Sequence, residues 1–277
     1  MKWNLSLKIV TLFACVLAIA GCQKMDRPAL GDYPPDANPP GGPLKFYAAM
    51  DEKNVDSVRA NYGTFNDASI TDGGVAGKAA QFDGSKNGFI NYPSANDFGS
   101  ASDFTVSFWI SITLEQKNHL NATGVLAFSN TQNFWGNITV FLEHETSTSD
   151  SMPLKMHFNA ANNGDNWQAA GYTDNNRLPK MYDGQWHNVA ITYHAADSVY
   201  TLYRDGVQFD QMTMNPAIKF ENASQLILGG FQQAAGVNGN YSENTWMSGY
   251  PGKLDNVRLY GETLSAADVA AIYANKE

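Results

Sequence analysis

Trp135, Trp167, Tyr172, Trp246 and Tyr250 are interleaved with Asn133, Asn163, Asp165, Asn166 and Asn240, between runs that read as strands. A flat aromatic ring offers its face to the apolar C–H side of a pyranose, and planar amides and carboxylates pair with sugar hydroxyls. The mixture in segments 131–137, 162–167 and 236–252 therefore suits a sugar ligand, with Trp135, Trp167 and Trp246 as stacking platforms. The same rings could instead plug the edges of a fold. Trp109 and Trp186 obey strand alternation, so packing is the role expected of them.

Other chemistries find less support. Cleaving a glycosidic bond needs two carboxylates across a cleft. The nearest candidate, Glu143-His144-Glu145, runs into a Thr/Ser-rich loop and reads as a solvated strand end. His119, His144, His157, His187 and His194 accompany no Gly-x-Ser-x-Gly elbow, and no His-x-x-x-His or Glu-x-x-His spacing suggests a transition metal. Binding without catalysis is the expectation, and no cofactor is required.

The elements that must hold these residues are strands. In Gly184 to Phe209, His187, Val189, Ile191 and Tyr193 fall on one face and Trp186, Asn188, Ala190 and Thr192 on the other. Val199 to Arg204 follows, closed by Asp205-Gly206, a dipeptide suited to a two-residue hairpin turn. Further strands are expected at Leu44 to Met50, Lys78 to Asp83, Gly88 to Tyr92, Phe104 to Ile110, Gly124 to Ser129, Ile138 to Glu143, Leu154 to Asn159 and Gln225 to Leu228. Short strands with Gly and Asn turns predict an all-β antiparallel β-sandwich. One short C-terminal helix is expected, capped by Ser265 with Asp268 and stapled by Leu264 on Val269.

The W-H-x-V-A-x-T-Y run at 186–193 and L-Y-x-D-G at 202–206 resemble the central signature of bacterial laminin-G-like domains of the concanavalin A-like lectin/glucanase superfamily. Ala80 to Gly84, Phe104 to Ile110, and Gly252 to Tyr260 followed by Leu264 to Ala267 match in the expected order. The resemblance implies a concanavalin A-like jelly roll over 44–277 and a carbohydrate ligand, with protein or matrix adhesion as the alternative and a glycoside hydrolase third. Arg204 stands where the family carries an apolar residue, so the strand ends or bulges there. The family also implies one structural calcium ion, for which Asp51, Asp83 and Asp255 are candidates. Asp255 shares the parity of Val257 and Leu259, which points it inward, where it must find donors or a cation.

The N-terminus reads as address rather than fold. Lys2 and Lys8 precede an apolar run, and Ile19-Ala20-Gly21-Cys22 resembles a lipoprotein lipobox, making 1–21 a signal peptide and Cys22 the lipidated residue. Six of the 11 prolines fall at 28, 34, 35, 39, 40 and 43, so 22–43 reads as a stalk reaching up to ~60 Å at ~3.1 Å per residue. The whole resembles Bacteroidetes surface lipoproteins, which implies lipid anchoring at the outer membrane, on the cell surface, near glycan-uptake proteins. Of 18 basic residues, removal of Lys2 and Lys8 leaves 16 against 27 acidic, a formal charge of −11. Such a chain is not expected to bind nucleic acid.

Overall fold

The computed structural model describes residues 42–276 apart from 52–53, 86, 119, 145–147 and 171–175. The signal segment, nearly all of the stalk, Cys22, His119, Glu145 and Tyr172 lie outside the described residues. In chain order the strands are β1 (Leu44–Ala48), β2 (Val55–Asp56), β3 (Asn61–Tyr62), β4 (Thr64–Asn66), β5 (Ala68–Asp72), β6 (Lys78–Phe82), β7 (Phe89–Tyr92), β8 (Phe104–Ser111) and β9 (Ala122–Asn130). There follow β10 (Ile138–Leu142), β11 (Leu154–Ala160), β12 (Gly164–Ala170), β13 (His187–His194), β14 (Val199–Arg204), β15 (Val207–Thr213), β16 (Ala223–Leu228), β17 (Met247–Ser248), β18 (Lys253–Tyr260) and helix α1 (Ala266–Asn275).

The strands form two sheets. The first runs β15-β14-β13-β8-β18-β1-β2-β3, with β6 on β18 and β5 on β6; the second runs β12-β11-β10-β9-β16-β7-β4, with β17 beside β9. The main ladders are antiparallel, as the short turns require. Phe104, Val106, Phe108 and Ile110 of β8 and Val189, Ile191 and Tyr193 of β13 meet Val140, Leu142, Met156 and Phe158 of the second sheet in one core. Each such fully buried side chain contributes roughly 1.5–3 kcal/mol. The architecture is the antiparallel sandwich with one C-terminal helix that the sequence predicts.

Two local expectations change, and one, the strand end or bulge at Arg204, holds. Residues 164–170 are not loop but strand β12, paired with β11 from Leu154↔Ala170 to Ala160↔Gly164. Asn162 and Asn163, with φ of 61° and 54°, supply the left-handed turn between them, a backbone that asparagine tolerates. Asp255 is buried, but it pairs with Trp109 while its neighbour Leu254 pairs with the core residue Ile110. A bulge at Asn256, φ 46°, breaks the parity, so Asp255 faces away from the core and the 73–78 loop covers it. At Arg204, β14 ends, and the β14–β15 register slips between Leu202 and Tyr203.

Helix α1 has its Ser265–Asp268 capping box. Val269 packs with Leu264, Ala190 and Tyr203, covering the outward face of the first sheet. No helix among the described residues is long and apolar enough to cross a membrane.

Candidate functional site

The outward face of the second sheet follows from parity. Ile138, Val140 and Leu142 of β10 point into the core, which turns Thr139 and Phe141 outward; Leu154, Met156 and Phe158 of β11 do the same for Lys155 and His157. Register then sets Phe141 opposite Lys155, Thr139 opposite His157, and His157 opposite Trp167. Onto this row the 131–137 loop lays Trp135, whose ring stacks on Phe141 at 6.0 Å and meets Trp167 edge-on at 4.7 Å. Trp246 closes the group at 5.5 Å from Trp135. The three tryptophans expected as platforms thus form one cluster, with Trp167 and Trp246 37% and 39% exposed.

The Trp135 loop is held by amides. Buried Gln232 donates from Nε2 to the Asn133 and Phe134 carbonyls at 2.7 and 2.9 Å, and Gln233 donates to Phe134 O at 2.7 Å. Asn130 Oδ1 accepts from the Gln132 and Asn133 amides, and the Thr139 hydroxyl donates to the Trp135 carbonyl. Asn133 Nδ2 reaches Asp165 Oδ1 at 3.0 Å and Asn163 O at 3.0 Å, tying this loop to the β11–β12 turn. Such a network fixes the rings before any ligand arrives.

His157 lies beneath the rings, 5.0 Å from Trp167, and is fully buried. Burial pushes it down to about 4 against the pull of Asp165, so at pH 7 the ring is neutral. Nε2 carries the proton that Asp165 Oδ1 accepts at 2.9 Å, and Nδ1 is buried with no partner. Lys155 places its ammonium 5.2 Å over Trp167 and pairs with Glu143 at 3.2 Å.

Two expected ligand residues stand elsewhere. Tyr250 is fully buried against Phe82 and donates to Ser111 O at 3.1 Å, so it is packing. Asn166 has the opposite parity to Trp167, is buried, and donates to Pro216 O. Phe141, His157, Lys155 and Gln232 escaped the sequence reading, although alternation in β10 and β11 would have turned the first three outward. Trp109 stacks on Tyr273 of α1 at 5.6 Å, and Trp186 Nε1 donates to Gly73 O at 3.1 Å, both structural roles. Depressions of about 560 and 420 Å³ lie near Asp51 and Trp186, away from the aromatic cluster.

The three candidate metal ligands do not assemble. Asp83 Oδ1 closes its own turn with the Ser85 amide at 2.9 Å. Asp51 and Asp255 instead converge on the 73–78 loop: Asp51 Oδ1 accepts from Lys78 N at 3.0 Å, and Asp255 accepts from Val75 N at 2.7 Å and Asn256 N at 2.8 Å. Burial lifts Asp255 to about 7, with a further push from Asp51 and an opposing pull from those amides. No group of three His, Cys, Asp or Glu side chains among the described residues is arranged for a metal. The three candidates therefore do not form one site among the described residues.

A family model described as "Concanavalin A-like lectin/glucanases superfamily" matches residues 83–270, more than half of the chain. No curated protein matches. Among solved structures, the binding domain of Paraclostridial Mosquitocidal Protein 1 is similar at TM-score 0.62 and 16% identity, over 84% of this chain and 52% of that one. The binding domain of botulinum neurotoxin serotype D follows at TM-score 0.58 and 13% identity, over 84% and 52%. Domain 4 of AbnA, a GH43 extracellular arabinanase from Geobacillus stearothermophilus in complex with arabinotriose, is similar at TM-score 0.56 and 18% identity, over 83% and 98%. The chain spans about half the length of the toxin domains it matches.

Proposed function

From the premise that the chain belongs to the concanavalin A-like lectin/glucanases superfamily, we propose that it binds a poly- or oligosaccharide on the outward face of its second sheet without cleaving it. The observation that carries this reading is the half-exposed pair Trp167 and Trp246, set around Trp135 and held by an internal amide network. Rings that the core does not need, fixed in advance, lose little entropy when a sugar stacks on them. The non-catalytic part is supported by the carboxylates nearby: Glu143 is paired with Lys155, and Asp165 spends one oxygen on His157 and Asn133, with no second free carboxylate opposite it among the described residues that the cluster brings together. The likeness to a binding domain and to an arabinanase domain solved in complex with arabinotriose supports the same reading.

The proposal extends to the N-terminus. Cys22 carries a lipid, 22–43 is the stalk, and the domain stands on the outer-membrane surface as part of a glycan-utilisation system; the lipobox-like 19–22 and the prolines support this. Cys22→Ser should leave the membrane fraction, and unchanged fractionation refutes the anchor. One calcium ion between Asp51 and Asp255 belongs to the same proposal.

A glycan array probed with the full chain in detergent tests the central claim. Binding to one glycan class, weakened by Trp167→Ala by about 2 kcal/mol, is expected. An array without signal, beside capture of a matrix protein, replaces it with the adhesion reading.

A further inference from the structure

The carbohydrate reading, on which this inference rests, leaves open which sugars the face accepts, and the charges around the rings bear on that. Lys155 pairs with Glu143 at 3.2 Å, and Lys219 with Glu221 at 2.8 Å. Asp165 differs. Its Oδ1 is held by two neutral donors, His157 Nε2 at 2.9 Å and Asn133 Nδ2 at 3.0 Å, and its Oδ2 has no partner among the described residues. The side chain is 48% exposed. A carboxylate fixed through one oxygen and open at the other is a preorganised acceptor whose charge has no counter-ion beside it.

Its position relative to the platform is set by strand geometry. Asp165 and Trp167 are two residues apart on β12, so both rise from the same face about 6.6 Å apart along the strand. A sugar stacked on Trp167 would therefore lie within reach of the Asp165 carboxylate.

We propose that Asp165 makes this face selective for neutral glycans: it accepts hydroxyl protons from a sugar on Trp167 and repels a uronic acid or sulfated sugar at the same place. Lys155, the cation over Trp167, does not reverse this, because Glu143 shares its charge. The formal charge of −9 on the whole chain acts in the same direction.

The test uses the full chain in detergent with linear arabinan and xylan as neutral probes and polygalacturonate as the acidic one. At low salt the acidic probe should bind at least about fivefold more weakly, the effect of one like-charge contact under water-like screening. The gap should narrow as salt rises toward ~1 M, where screening acts within ~3 Å. Asp165→Asn, which keeps an acceptor for His157 and Asn133, should raise polygalacturonate binding and lower xylan or arabinan binding. Equal binding of acidic and neutral probes by the parent, or a gap that neither salt nor Asp165→Asn alters, overturns the selectivity while leaving the carbohydrate reading in place. The salt series on the parent decides the matter if the variant fails to fold. Binding of none of the probes, beside a glycan array without signal, removes the carbohydrate reading and this inference together.

Discussion

Trp109 and Trp167 share a parity, each facing away from the shared core, Trp109 on the interior strand β8 of the first sheet and Trp167 on the edge strand β12 of the second. Trp109 is 3% exposed and Trp167 37%. Over the first sheet lie α1, which stacks Tyr273 on Trp109, and the 73–78 loop, which bonds to Asp255 and Trp186. Over the second, the 231–247 segment buries Phe141, Phe89, Ala127 and Ile227, while around Trp167 the described cover is further aromatic rings and the amides that fix them. Trp109 has been taken into a second interior, while Trp167 and Trp246 stay at the solvent boundary. Residue type and parity are alike, so the distinction lies in what the chain folds back over each sheet.

Truncating the two tryptophans should separate the faces. Trp109→Ala opens a hole between β8 and α1 and should cost about 3–5 kcal/mol in urea unfolding, with glycan affinity of the folded protein unchanged. A loss below ~1 kcal/mol would mean that the helix is not a true cover.

Acid should act on the open face next. His157 is neutral in the fold, pushed to about 4, and takes up a proton near 6.5 once unfolded. Its stabilising effect is therefore complete above pH 6.5 and disappears as pH falls through about 4, on the order of 3 kcal/mol in all. His187 on the first sheet works the other way. Burial alone would lower it, but the hydrogen bonds it donates to Asp205 and Asp183 raise it overall, so its contribution is full below 6.5 and is lost as pH rises through its raised value. Unfolding measured from pH 7.5 to 4 should flatten on the acid side in His157→Gln, and a curve parallel to the parent's would remove the argument.

A smaller effect concerns the proposed cation. Calcium held by Asp51 and Asp255 would clamp the 73–78 loop over the first sheet, adding about 2.7 kcal/mol at a hundredfold excess over its dissociation constant. EDTA should then lower the melting temperature, and an unmoved midpoint discards the ion. The smallest change is expected from Trp167→Ala, whose stability should stay within about 1 kcal/mol of the parent because half-exposed rings leave little cavity.

The sandwich was legible because alternation in β8, β13 and β14 records two environments residue by residue, and Asp205-Gly206 marks its turn chemically. Trp135, Trp167 and Trp246 could be singled out from their amide neighbours. Their convergence could not, since it depends on pairing between strands distant in sequence and on a loop pinned by Gln232, a hundred residues away. Residues 162–167 looked like loop because Asn162-Asn163-Gly164-Asp165-Asn166 is turn-forming in composition; only β11 alongside makes a strand from Gly164 onward. Tyr250 was misjudged for the converse reason, as a Gly-rich surrounding hides the fact that Phe82 and Ser111 enclose it. The inward reading of Asp255 failed at a single left-handed residue, Asn256.

Chain order and spatial order part company at β18. The last strand of the sequence lies in the middle of the first sheet, with β8 on one side and β1 and β6 on the other. During synthesis, β1 and β6 exist for nearly the whole length of the chain before their partner does, and their pairings have among the greatest sequence separations available to this protein. The first sheet therefore cannot close progressively from the N-terminus. A nascent chain stays open, with Phe46 and Phe82 lacking their final neighbours, until residues 253–260 arrive and join both halves at once.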